Sequence, residues 1–121
     1  SYENYTNLSS KQIINQYVCC DLLLFASTYE GFGIPIIEAQ KVGRPVVTSN
    51  LLSMPEVSGD GAILVDPFNE ESIRSGVRMI IENKNIRDSL IINGLENCKK
   101  YSSREISLKY AKTYLEFFQS I

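Results

Sequence analysis

The stretch Tyr29 to Gln40, YEGFGIPIIEAQ, constrains the chain more than any other, because it turns a strand sharply into a helix. Upstream, DLLLFAS (Asp21 to Ser27) is a nearly continuous apolar run, the pattern of a buried parallel strand covered on both faces by helices. Gly31 and Gly33 bracket Phe32, so the backbone is free to take positive φ and a ligand can approach the main chain without meeting a Cβ. Pro35 suits the first helical position, since its φ is already helical and its missing N–H would have no intrahelical partner. A helix is therefore expected from about Ile34.

The unpaired N–H groups and positive dipole end of that helix face whatever lies beyond the carboxyl end of the strand, a natural place for a phosphate. Glu30 precedes the turn and Glu38 lies about one turn into the helix. Carboxylates there would repel a diphosphate placed beside them, so they suit hydrogen bonds from hydroxyls. A ligand with both phosphate and polyol parts meets both requirements, and a nucleotide sugar is the obvious candidate.

Glu30-Gly31-Phe32-Gly33-Ile34-Pro35-Ile36-Ile37-Glu38-Ala39 resembles the E-x7-E signature of retaining, nucleotide-sugar-dependent glycosyltransferases of the GT-B fold, the glycosyl transferases group 1 family. Gly43-Arg44-Pro45-Val46-Val47, Met54-Pro55-Glu56-Val57 and Gly61-Ala62-Ile63-Leu64-Val65-Asp66-Pro67 follow in that family's order and approximate spacing. The combination covers most of the chain and is far more specific than a bare pair of glutamates.

The resemblance implies a role for each matching position. Glu38 would accept hydrogen bonds from the nucleotide ribose, and Glu30, the candidate catalytic residue, would contact the donor sugar. Main-chain N–H groups around Phe32, Gly33 and Ile34 would contact sugar or diphosphate. No metal ligand and no cofactor are implied beyond the donor itself, such as a UDP- or GDP-sugar, with helix dipoles and basic groups supplying the electrostatics. The fold implied is α/β, a partial Rossmann-like domain of about three parallel strands flanked by helices. Residues 1–121 would be a single partial donor-binding domain, the second half of the C-terminal domain of a two-domain enzyme. Groups that bind the diphosphate and the glycan or lipid-linked acceptor would lie outside it, so the isolated chain is expected to be inactive. Two other readings remain open: a nucleotide-sugar epimerase or hydrolase of the same fold, and a non-catalytic binding or assembly module.

Composition removes several alternatives. A net charge of −2 gives no electrostatic case for nucleic acid or an anionic membrane. No apolar run approaches the ~20 residues that span a bilayer, and the polar start is unlike a signal peptide. The expected location is the cytosol, with peripheral attachment at the inner membrane face open to the full-length protein. With no histidine, Ser-His and Cys-His nucleophiles and most zinc sites drop out. Cys19, Cys20 and Cys98 make neither a disulfide framework nor a metal-ligand spacing.

In chain order, Ser9 with Gln12 forms a capping box, and Ile13, Ile14, Tyr17 and Val18 give a helix one apolar stripe. The glycine-turn helix is expected over 34–42 with Gly43 as a left-handed cap, then a strand over 44–48 and a short helix over 54–57. Glu56 in that helix reads as capping or pairing rather than as a catalytic acid. A strand over 62–65 precedes a helix capped by Asn69, with Ile73, Val77, Ile80 and Ile81 toward the sheet. Another helix is expected over about 85–100, loosened at Gly94. The last opens with Ser102 and Glu105 and carries a stripe of Ile106, Tyr110, Tyr114, Phe117 and Phe118. That stripe and the open edge of the first strand predict a homodimer.

Overall fold

The computed structural model describes residues 1–104, 111–113, 115, 116 and 119. The aromatic stripe of the last helix, and Glu105 of its capping box, lie outside the described residues. The element order is α1 (Ser10–Cys19), β1 (Leu23–Phe25), α2 (Ile34–Lys41), β2 (Val46–Ser49), α3 (Met54–Ser58), β3 (Ala62–Val65), α4 (Glu70–Glu82) and α5 (Lys84–Cys98). Single 3-10 turns follow α3 at Gly59–Gly61 and α5 at Lys99–Tyr101.

The three strands form one parallel sheet in the order β1-β2-β3, with Leu23 opposite Val46 and Val46 opposite Ala62. Side chains alternate across such a sheet, so the two faces carry different cores. On one face Leu23, Phe25, Val46 and Ala62 pack with Ile36, Ile37 and Ala39 of α2, Met54 and Val57 of α3, and Cys98 of α5. On the other, Val47, Ile63 and Val65 pack with Ile73, Val77 and Ile80 of α4 and with Ile86 and Leu90 of α5. α5 therefore ties the two layers together. A parallel three-stranded sheet with helices on both faces is the α/β arrangement expected from the alternating pattern.

The local signals that set element ends are present. Ser9 and Gln12 close the capping box, and the Asn69 side chain accepts from the N–H groups of Glu71 and Ser72. Gly43 takes φ +73 and ends α2: its N–H donates to the Gln40 carbonyl and that of Arg44 to Ala39, which satisfies two orphan carbonyls at once. α2 begins at Ile34 with Pro35 second rather than first, a shift of one residue.

Four expectations are corrected by tertiary packing. The strand expected over 21–27 shortens to Leu23–Phe25, and Leu24 is 47% exposed, so β1 is not buried on both faces. α4 lies over β2 and β3 and leaves β1 uncovered on that side. Ile81 points away from the sheet, 62% exposed, and Gly76 takes the inward position instead. A Cβ on Gly76 would sit 2.6 Å from Val65 Cγ1, so the missing side chain is what lets α4 lie this close. Gly94 does not loosen α5; it is buried inside a continuous helix, and a Cβ on the facing Gly61 would come within 2.6 Å of its Cα. Along α1 only Tyr17 packs against the core, while Ile13, Ile14 and Val18 remain exposed because α1 meets the domain along one narrow line.

Candidate functional site

β1 runs out at Phe25, and the chain crosses to α2 through residues 26–33. Hydroxyls from the neighbouring strand hold this crossing in place: Thr48 Oγ1 donates to the Phe25 carbonyl at 2.9 Å and Ser49 Oγ to the Ser27 carbonyl at 2.5 Å. Ser27 Oγ in turn donates to the Tyr29 carbonyl, and Ser53 Oγ at the start of α3 donates to that of Phe32. The Phe32 ring meets Tyr101 edge-on at 5.5 Å, which pins the turn from the other end of the chain.

Only one of the two turn glycines needs its conformation. Gly33 has φ +89 and serves as the N-cap of α2, where a side chain would be strained. Gly31 has no positive φ, and a Cβ there would meet nothing within 4 Å, so the space beside it is open. Its expected use for a strained backbone is thus not what the structure shows; what survives is room for something to come close.

A helix start leaves four N–H groups unpaired, but here two drop out. Pro35 has none, and the N–H of Ile36 donates to the Gly33 carbonyl at 3.0 Å. Among the described residues no hydrogen bond engages the main-chain N–H of Phe32, Gly33 or Ile34. Three consecutive donors at the positive end of a helix therefore remain unpaired beyond the carboxyl end of β1, Phe32 and Ile34 exposed and Gly33 buried between them.

The two glutamates occupy different parts of this connection. Glu30 lies half-buried in the crossing loop, and among the described residues no hydrogen bond or ion pair engages its carboxylate. Glu38 is in the second turn of α2, also half-buried, and its Oε2 accepts from the Tyr17 hydroxyl at 2.8 Å. It lines a groove of about 320 Å3 between α1 and α2 with Ser10, Ile13, Ile14, Tyr17, Lys41 and Val42, at the small end of ligand-pocket sizes. Glu30 is not part of that groove. The amide trio lies between the two in sequence, so the arrangement suits an extended ligand rather than a compact one.

Tyr17 was legible only as one member of an apolar stripe. Its hydroxyl makes it a polar partner of the site, and the one hint in the sequence is a phenol among aliphatic neighbours. Burial, then the adjoining Glu38 carboxylate, push its phenol far above the ordinary range, so it remains a proton donor. Glu56 is exposed in the first turn of α3, where its charge favours the helix start. It forms no hydrogen bond among the described residues, and its charge, after burial, helps raise the Tyr101 phenol. No group of three or more metal-ligating side chains occurs among the described residues, and none of their helices is long and apolar enough to cross a membrane.

A known family and several known proteins resemble the chain. Residues 4–97 match the family described as glycosyl transferases group 1. The chain is 33% identical over 98 residues to the O-antigen chain mannosyltransferase B of Escherichia coli, covering 81% of this chain and 26% of that protein. It thus spans about a quarter of that relative's length. Among solved structures, the C-terminal domain of a glycosyl transferase group 1 family protein (LpcC) from Francisella tularensis superposes with TM-score 0.72 at 26% identity, over 83% of this chain and 53% of that one. Sucrose-phosphate synthase from Thermosynechococcus elongatus shares the fold with TM-score 0.82 at 21% identity, over 97% of this chain and 30% of that one.

Proposed function

The chain belongs to the glycosyl transferases group 1 family, and from that premise we propose that it forms the donor-binding face of an enzyme that moves a hexose from a nucleoside diphosphate to a glycan acceptor. The observation that carries this reading is the unpaired amide trio of Phe32, Gly33 and Ile34, lying in the chain between two carboxylates that form no ion pair among the described residues. In the proposed complex the diphosphate accepts hydrogen bonds from the trio. The ribose hydroxyls donate to Glu38, and the sugar hydroxyls donate to Glu30.

The chemistry follows from which groups gain charge. As the glycosidic bond to the β-phosphate breaks, negative charge builds on the leaving diphosphate. Preorganised N–H donors at a helix terminus stabilise it more than they stabilise the ground state. The acceptor hydroxyl bonds to the anomeric carbon on the face the diphosphate leaves and passes its proton to the departing phosphate oxygen, so configuration is retained in this proposal. The chain spans about a quarter of its mannosyltransferase relative, and we expect the 121-residue chain alone to give no transfer. The Escherichia coli relative, a mannosyltransferase of an O-antigen chain, favours a polysaccharide pathway and a hexose donor.

The test is to incubate the full-length protein with UDP-, GDP- and ADP-hexoses and candidate glycan acceptors, and to read the anomeric configuration of the product by NMR. Transfer from an α-linked donor giving an α-linked product is expected. A β-linked product would overturn the stereochemical part, and epimerised or hydrolysed donor without transfer would overturn the transferase reading.

A further inference from the structure

We propose that Tyr17 is a positioning residue, fixing the Glu38 carboxylate in the orientation that receives the ribose hydroxyls; this deepens the donor-binding reading above and rests on it. The geometry is specific to that role. The Tyr17 ring packs against the core cluster of α2 and α3, and its hydroxyl reaches one carboxylate oxygen of Glu38 at 2.8 Å. Its main chain is held independently, since Arg44 Nε, two residues before β2, donates to the Tyr17 carbonyl at 3.0 Å. The donor is thus held at two points, its ring against the core and its carbonyl by Arg44.

An ionised carboxylate offers about four lone-pair sites, and the phenol takes one. The remaining sites on Oε1 and Oε2 are left for a ligand, and Glu38 lines the groove between α1 and α2. Glu38 has no cation to hold it: Lys41 lines the same groove but forms no ion pair with it among the described residues. Without Tyr17 the glutamate would have to be immobilised by the ligand itself, at a cost to affinity. A phenol is suited to this because it stays protonated and neutral, so it orients the carboxylate without cancelling the charge that attracts hydroxyl donors.

The experiment compares wild type, Tyr17→Phe, Glu38→Ala and the double variant in the full-length protein. The probe is whichever of UDP, GDP or ADP the wild type binds most tightly, together with its 2′,3′-dideoxy counterpart, measured by titration calorimetry. Tyr17→Phe keeps the packed ring and is expected to weaken the ribonucleotide about ten-fold, the loss of one orienting bond to a charged group. The dideoxynucleotide should change less than about two-fold, and Tyr17→Phe should add nothing once Glu38 is alanine. Equal losses for the two nucleotides would make Tyr17 merely structural, and an unchanged ribonucleotide affinity would also overturn the proposal. If Glu38→Ala selectively weakens the ribonucleotide while Tyr17→Phe does not, this inference fails and the donor-binding reading stands. If wild type binds none of the three nucleotides, both fail.

Discussion

Glu38→Ala in the full-length protein is expected to weaken binding of a nucleoside diphosphate by about ten- to one-hundred-fold while leaving the fold intact. A hydrogen bond to a charged group contributes roughly 1.5–3 kcal/mol, and each 1.4 kcal/mol is a factor of ten. Glu38 is half-buried at the rim of its groove, so its removal opens no cavity in the core. What it does remove is the acceptor for the Tyr17 hydroxyl. That hydroxyl borders an open groove in which water can replace the lost partner, so melting should shift little. Equilibrium titration beside a thermal melt checks both halves. An unchanged affinity would remove Glu38 from the site, and a collapse in stability would assign it to the fold.

The second large effect concerns stability. α2 is held by a buried polar network with no counterpart elsewhere in the described residues. Asn97 Nδ2 on α5 donates to Gln40 Oε1 at 2.8 Å and to the Val57 carbonyl at 2.8 Å, and Gln40 Nε2 donates to the Ser58 carbonyl at 2.9 Å. Gln40, Ser58 and Asn97 are all buried, so water cannot substitute for a lost partner. The network also serves the backbone where α3 gives way to the 3-10 turn, because it supplies donors to the buried carbonyls of Val57 and Ser58.

Asn97→Ala leaves two buried acceptors unsatisfied and a void beside them, and should destabilise the protein by about 2–4 kcal/mol. In chemical denaturation this appears as a lower midpoint at unchanged slope. A loss under about 0.5 kcal/mol would show that the network is dispensable. The functional consequence is indirect: Gln40 sits two residues beyond Glu38, so the same bonds fix the axial position of α2 and hence of its amide end.

These two predictions differ in how far their residues could be read from the sequence. Signals confined to a few neighbours were legible. The caps at Ser9, Asn69 and Gly43, the turn at Gly33 and the alternation of strand and helix each depend on residues close together in the chain, and each is present. Asn83, whose side chain accepts from the Ile86 N–H and starts α5, belongs to this group and was missed only by position.

Signals made by distant pairing were not legible. Asn97 and Gln40 are 57 positions apart and Tyr17 and Glu38 are 21 apart, and no periodicity encodes a polar side chain that turns inward to meet another. The apolar pattern also misleads where coverage is uneven. Leu24 and Ile81 carry the hydrophobicity of core residues, but α4 does not reach β1, and the inward place on α4 goes to Gly76. Close approach selected a glycine over an isoleucine there, which a count of apolar positions cannot anticipate.

The glutamates carried the reverse lesson. The resemblance puts both carboxylates on one donor, and the structure gives them separate settings: Glu30 in the crossing loop, Glu38 bonded to Tyr17 of α1, with three unpaired amides between them in the chain. That separation suits a ligand built as sugar, diphosphate and nucleoside in line.

The most direct measurement is a crystal structure of the full-length protein with its nucleoside diphosphate. The account predicts phosphate oxygens within hydrogen-bond distance of the main-chain N–H groups of Phe32, Gly33 or Ile34, and both ribose hydroxyls on the Glu38 carboxylate. A nucleotide bound elsewhere on the domain, or one whose ribose leaves Glu38 bonded to Tyr17 alone, would contradict it.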